Sequence, residues 1–230
     1  MKLDRLIARY NGLGRKRARL AIAAGRVAVA GMCTRDPGID VDRFADAVLD
    51  GELVSSGEAA VYIMLHKPVG ILSATRDPLH PTVIDLLDHP QRGDLHIAGR
   101  LDRASSGLIL LTNNGRWSKR IMAADHAVTK TYVAETLHPI GADAVAAFAR
   151  GFHFHTEDIT TRPAELEIIG GHSAIVRLTE GRYHQIKRMF HRCGNRVVSL
   201  HRVAIGALTL DPALAPGGWR MLGPDEISAF

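Results

Sequence analysis

Cysteine is nearly absent: Cys33 and Cys193 are the only two in 230 residues. Two thiols build no disulfide framework, and they suit a reducing compartment. No apolar run reaches the ~18 residues that a membrane-spanning helix needs, so no membrane partner is expected. The opening Met1-Lys2-Leu3-Asp4-Arg5 carries charge at once and lacks the apolar core of a secretory signal. A soluble, cytoplasmic chain is the expectation. Neither a phosphate-binding loop nor a dinucleotide fingerprint occurs. Ser105-Ser106-Gly107 lacks the pattern of a nucleophile elbow. His153 and His155 have a spacing that metals use, but no cysteine or carboxylate set accompanies them, so no metal is expected. Internal repeats and low-complexity tracts are missing as well.

What remains is an ordinary globular balance, 46% apolar and 23% charged, at a length that suits one large domain or two unequal ones. The formal net charge of +5 leans only slightly toward an anionic partner. Its distribution says more. Residues 1–35 hold nine basic side chains against the single acid Asp4, whereas residues 36–60 hold seven acids against Arg43. A second basic cluster, with histidines interleaved, lies at 182–202.

The first stretch forms a unit of its own. Leu3, Leu6 and Ile7 recur at helical spacing. From Arg15 to Ala24 a second helix places Ala18, Ala21 and Ile22 on one face and Arg15, Lys16 and Arg19 on another, with Gly25 as its C-cap. Arg26 to Gly31 reads as a strand entering a tight turn, Asp46 to Val54 as a further apolar stretch, and Ser55-Ser56-Gly57-Glu58 as a linker. The basic helical face is equally a solvated surface or a phosphate-contacting one. The order KLDRLIA…GRKRARLAIAAGRVAVAG resembles the small RNA-binding module named after ribosomal protein S-four, except that Ala30-Gly31 stands where Asn-Gly is common. The resemblance implies an RNA-binding module over 1–58, with Arg15, Arg17, Arg19 and Arg26 as RNA contacts.

Residues 59–230 alternate short strands with a few helices, which argues an α+β domain on a mostly antiparallel, mixed sheet with flanking helices. Strands are expected around Val61–Leu65, Leu95–Ile97, Leu108–Leu111, Thr131–Leu137, Ala174–Leu178 and Val197 onward, and helices over Asp143–Arg150 and Tyr183–Arg192. In the second helix Ile186, Met189 and Phe190 form the apolar stripe. Between two strands lies a loop of small residues, Gly99 to Gly107, holding Arg100 two positions before Asp102.

Taken singly, these residues have plain explanations. An aspartate in a turn is usually a turn or capping residue, and a tyrosine in a strand is usually core with a bonded hydroxyl. Together they form a pattern. GRLDRASSGLILLTNNG (99–115), KTY (130–132) and EGRYHQIKRMF (180–190), in that order, resemble pseudouridine synthases. HKPVG (66–70), DPLHPTV (77–83), GRWSKRI (115–121) and LHRVAIGALTL (200–210) narrow the resemblance to the RsuA-type branch, which joins an S-four-type module to a catalytic domain. Ala104, Ser105-Ser106 and His66 depart from that branch, where Asp, Thr-Thr and Asn are usual.

The resemblance implies isomerisation of one uridine to pseudouridine in small-subunit 16S ribosomal RNA. Asp102 is the implied carboxylate, as nucleophile at the ribose or as base at its 2′ position, on a uridine flipped out of its stack. Lys187 is the implied cation that keeps it ionised. Tyr132 is expected to stack on the uracil, Leu200 to pack beneath it, and Arg100 to fill the vacated space and contact phosphate. Arg182, His184, Gln185 and Arg188 are expected on the RNA. The scheme calls for no metal or organic cofactor. Its partner is ribosomal RNA, within a partly assembled small subunit, and the protein is expected to be a monomer. Two alternatives stand beside it: the same chemistry on a 23S uridine, and a non-catalytic ribosome-assembly protein that kept the fold.

Overall fold

The computed structural model describes residues 1–123 and 127–230, and the chain divides into two units, Met1–Ala60 and Val61–Phe230. In the first, α1 (Leu3–Arg9) and α2 (Arg15–Ala23) bury Leu3, Ile7, Ala18, Ala21 and Ile22, the positions that helical spacing puts on one face. Gly25, at a φ of +75°, closes α2 by donating its N–H to the Ile22 carbonyl. Strands β1 (Val27–Val29), β2 (Met32–Thr34), β3 (Ala47–Leu49) and β4 (Glu52–Ser55) form an antiparallel sheet in the order β2-β1-β3-β4. Its two hairpins turn on Ala30-Gly31 and Asp50-Gly51, and all four residues have positive φ, as two-residue turns between right-twisted strands require.

The segment expected to be a linker is packed instead. Ser55 closes β4, the Gly57 N–H donates to Asp46 at 2.8 Å, and the Glu58 N–H donates to the Arg43 carbonyl at 2.8 Å. A Cβ on Gly57 would lie 2.2 Å from the Phe44 carbonyl oxygen. The glycine is there for close backbone approach, not for freedom.

The second unit runs β5 (Tyr62–Lys67), β6 (His96–Ile97), β7 (Ser106–Thr112), α3 (Gly115–Met122), β8 (Lys130–Thr136), α4 (Asp143–Arg150), β9 (His153–Phe154), β10 (Ile159–Thr160), β11 (Glu165–Ile168), β12 (Ser173–Leu178), α5 (Gln185–Arg192), β13 (Val197–Ile205), β14 (Leu208–Thr209), β15 (Trp219–Met221) and α6 (Pro224–Ser228). Among the described residues it is an α+β fold on a nine-stranded sheet, in the order β11-β12-β8-β13-β7-β5-β15 with β14 on β13 and β6 on β7. Every pairing is antiparallel except that of β13 with β7. That parallel join matters, because the loop carrying Asp102 leads straight into β7.

Helices α4 and α5 cover one half of the sheet through Phe148, Ile186, Met189 and Phe190, packed on Tyr132, Ala134, Val176 and Leu200. At the other half, β7 is buried on both faces. Ile109 and Leu111 join Ile63, Leu65 and Val83, while Leu108 and Leu110 join Met64, Trp117 and Ile121. A strand buried on both faces is apolar almost throughout, hence the run Leu108 to Leu111.

Helix α5 begins two residues later than the pattern of its apolar stripe suggests. His184 has a left-handed backbone, φ +49° and ψ 32°, which no helix interior accommodates. The turn before it is clamped: the Gln185 side chain accepts from the Arg182 N–H at 3.0 Å and donates to Glu180 at 2.7 Å.

Candidate active site

The loop Gly99–Ser105 joins β6 to β7, and its carbonyls are held by two buried cations whose hydrogen bonds, among the described residues, go to backbone carbonyls. Lys67 closes β5 and is wholly inaccessible to solvent. Its Nζ donates to the carbonyls of Ser105 at 2.7 Å, Pro68 at 2.9 Å and Arg103 at 3.4 Å. Arg202 on β13 is equally buried, and donates to the carbonyls of Leu108 at 2.8 Å, Gly99 at 3.1 Å and Arg100 at 3.3 Å. The Ser73 hydroxyl fixes Leu101 from a third direction, donating to its carbonyl at 2.7 Å and accepting from its N–H at 3.0 Å. Asp102 itself accepts the Ser105 N–H on its carbonyl at 3.0 Å, closing a tight turn. Burial of charge is tolerated only with such full hydrogen bonding.

On this frame the Asp102 carboxylate is left for other work. Lys187 of α5 donates to its Oδ2 at 3.0 Å, and His184 Nε2 stands 3.6 Å from the same oxygen. Both members of the Asp102–Lys187 pair keep about a quarter of their side-chain surface, 27% and 26%, so the pair sits at the edge of a pocket rather than in the core. Asp102, Arg100, Tyr132, Arg182, His184, Gln185 and Leu200 line that one pocket, with Leu101, Ser105, Leu178, Gly181 and Ile186 completing its wall. Tyr132, Leu200 and Leu178 come from three neighbouring strands, and Arg100 stands exposed beside them. The left-handed turn at His184 is what brings its imidazole to Asp102. Backbone outliers of this kind collect at functional sites.

Arg188 is not brought to this pocket. It forms a two-pronged pair with Glu157, 2.7 Å at each nitrogen, and its guanidinium lies 3.7 Å over the Phe154 ring. The spacing on α5 explains this: Lys187 and Arg188 are adjacent and so point about 100° apart. Gln185 lines the pocket, but its amide is engaged by Glu180 and the Arg182 backbone. In the first unit Arg15 and Arg19 converge on buried Asp4 at 2.8 and 2.9 Å. The Arg15 hydrogen bond is the main cause holding the Asp4 carboxyl below the usual range. Arg26 pairs with Asp50 through both nitrogens, so part of the acidic stretch at 36–60 neutralises the basic one. Arg17 is exposed on α2.

The sequence pattern assigns no role to Lys67 or Arg202, although they lie in HKPVG (66–70) and LHRVAIGALTL (200–210). The one available signal was a lysine at the end of an apolar strand, directly before Pro68. Burial pushes the Lys67 ammonium down to about 8 from 10.5, against the partly offsetting attraction of Asp102. The native chain therefore releases this proton near pH 8 and the unfolded chain only near 10.5, so the unfolded state binds more protons between the two. Stability contributed at this position must then rise with pH across that window. In urea unfolding at pH 7, 8.5 and 10, the wild-type protein is expected to gain stability relative to Lys67→Met as pH rises. An unchanging difference overturns the shifted lysine.

A family model described as RNA pseudouridylate synthase matches residues 61–192. Over 227 residues, 99% of each chain, the sequence is 49% identical to a ribosomal small subunit pseudouridine synthase A of Pseudomonas aeruginosa. It is 42% identical over 229 residues to the protein of that name in Escherichia coli, covering 100% of this chain and 99% of that one. A solved crystal structure of a pseudouridylate synthase superimposes with a TM-score of 0.73 at 38% identity, covering 100% of this chain and 99% of that chain.

Proposed function

We propose that this chain, which belongs to the RNA pseudouridylate synthase family in its RsuA-type branch, converts a uridine of 16S ribosomal RNA to pseudouridine with Asp102 as the acting carboxylate. The observation that carries this reading is the Asp102 carboxylate at the edge of a pocket walled by Tyr132 and Leu200, 3.0 Å from Lys187 Nζ.

In the reaction the C1′–N1 bond breaks, the uracil turns, and C5 bonds to C1′. C5 gives up its proton and N1 takes one, so the formula is unchanged and no electron donor is consumed. Asp102 acts at the ribose, by attack on C1′ or by removal of the 2′ proton. Both roles need a carboxylate whose oxygen is exposed and whose charge is compensated, and Lys187 supplies the compensation. A uridine reaches the pocket only out of its stack. Tyr132 stacks on the flipped uracil and Leu200 packs beneath it, contacts that for base and aromatic are worth roughly 1–3 kcal/mol. Arg100 enters the vacated space, and Arg182 and His184 take the flanking backbone. Gln185 acts by holding the turn, and Arg188 is left out of the contact set. The unit Met1–Ala60 acts as the RNA-binding module, with Arg15, Arg17, Arg19 and Arg26 on phosphates, and Val61–Phe230 as the catalytic domain. We take the substrate to be a partly assembled small subunit and the enzyme a cytoplasmic monomer. Two cysteines that stay unpaired support the compartment, and among the described residues no helix is long and apolar enough to cross a membrane.

The test is pseudouridine mapping. Protein is incubated with unmodified 16S and 23S transcripts and with partial small-subunit particles, followed by carbodiimide labelling and primer extension. One new stop in 16S RNA is expected, strongest in the particle. A stop confined to 23S RNA moves the target, and no stop in any substrate overturns the reading.

A further inference from the structure

Among the described residues, charged side chains that are half-buried or deeper on this sheet have identifiable partners, with one exception. Lys67 and Arg202 each hold three carbonyls. Arg177 spans Glu165 and Glu167, and Arg220 spans Asp211 and Glu226. For Lys130, at the start of β8, no carboxylate or carbonyl accepts from the ammonium among the described residues. Lys130 lies two residues before Tyr132, so the two side chains share a face of the sheet. It is also paired directly with Leu178, which walls the same pocket. Its electrostatic neighbour is another cation, Arg202, and burial together with that neighbour lowers the Lys130 ammonium from its usual value.

An ammonium held half-desolvated beside a like charge, with no acceptor among the described residues, is unfavourable in the free protein. Its stem alone could snorkel to water from a strand end, yet it remains partly covered. A residue kept in that state next to a pocket is matched to an anion that arrives from outside. Where the pocket takes a nucleotide, the anion at its rim is a backbone phosphate, which every nucleotide brings regardless of base.

We propose that Lys130 is a phosphate-binding residue, gripping the RNA backbone next to the uridine that enters the Asp102 pocket. This rests on the uridine-isomerase reading above and deepens it. Lys130 touches no reacting atom, so its effect falls on binding of RNA and not on the chemical step.

The variants are Lys130→Met, which keeps the stem and removes the charge, and Lys130→Arg, which keeps the charge. With 16S transcript or particle as substrate, the rate of pseudouridine formation is followed against KCl concentration. For Lys130→Met, kcat/KM is expected to fall about tenfold at 0.1 M KCl, almost wholly through KM. The slope of log kcat/KM against log[KCl] is expected to lose about 0.7 to 0.9, the share of one neutralised phosphate. Lys130→Arg is expected to restore the slope. A packing role leaves the slope at the wild-type value while both variants lose thermal stability, and that result overturns the proposal. Wild-type protein that forms no pseudouridine in any substrate defeats the uridine reading itself. An active wild type with an unaltered Lys130→Met slope defeats only the lysine.

Discussion

Asp102→Asn is expected to reduce pseudouridine formation by on the order of 10⁴-fold or more, the range in which removal of a principal reacting group falls, while RNA binding stays within a few-fold of wild type. The structure separates these two outcomes. The backbone around Asp102 is held by Lys67, Arg202 and Ser73, and none of those bonds uses the carboxylate. Asparagine has the same shape and still offers one oxygen to Lys187 Nζ, which sits 3.0 Å from Oδ2 in the native protein. Lys187 also keeps about a quarter of its side-chain surface, 26%, so losing the full negative charge does not strand it in an apolar site. What disappears is the anionic oxygen proposed to act on the ribose. The checks are single-turnover pseudouridine mapping and a filter-binding titration on the same RNA. Asp102→Ala serves as control against slow deamidation of the asparagine. Retained turnover in both variants would assign the chemistry elsewhere, and loss of binding in both would make Asp102 a structural residue.

The resemblance of whole segments, and not any single residue, pointed to the side chains of this site. Asp102, Tyr132, Lys187 and Leu200 come from four separate segments, and the fold brings them to one pocket or one ion pair. The helix end marked by Gly25 was legible for a local reason, since it sits at positive φ where a side chain is disfavoured, as Gly151 and Gly194 do after α4 and α5. The frame beneath the site was not legible. A lysine or arginine in a strand reads as an outward-facing charge. That Lys67 and Arg202 turn inward is decided by carbonyls 36 to 38 and 94 to 103 residues away, a separation that no local pattern encodes. Arg188 stands apart from the pocket for the opposite reason. Its neighbours in sequence are site residues, but its partner Glu157 lies on the turn between β9 and β10, two strands of two residues each that give no periodic signal. Helix α3 carried a usable signal. The Asn114 side chain accepts the N–H groups of Arg116 and Trp117, as an N-cap should, ahead of the buried Trp117 and Ile121.

Gly107→Ala is expected to lower the melting temperature of the Val61–Phe230 unit by about 10 °C and to remove most activity even well below the transition. Two independent effects converge on this position. Gly107 has a φ of +111°, a conformation that side chains rarely adopt, and the added Cβ would lie 2.3 Å from the carbonyl oxygen of Arg202 and 2.6 Å from its nitrogen. The first effect is worth about 1–3 kcal/mol and the second about the same, since the neighbour is backbone in a two-sided core. Together they approach roughly 4 kcal/mol. At about 2–4 °C per kcal/mol for a unit of this size, the shift is near 10 °C. The clash is also placed where it disturbs function. Gly107 pairs with Arg202 at the single parallel join of the sheet, and the guanidinium of that same arginine holds the carbonyls of Gly99 and Arg100. Pushing β13 away from β7 therefore shifts the loop that presents Asp102 relative to Lys187 and Tyr132, and displacements near 1 Å at a reacting group lower rates by about 10²-fold. Gly93→Ala is the control, because an added methyl there meets nothing within 4 Å. Calorimetry and pseudouridine mapping at 15 °C on the two variants decide it. A Gly107→Ala protein that melts within 2 °C of wild type, or that melts early yet reacts at the full rate when folded, would show that the join between β7 and β13 does not set the position of Asp102.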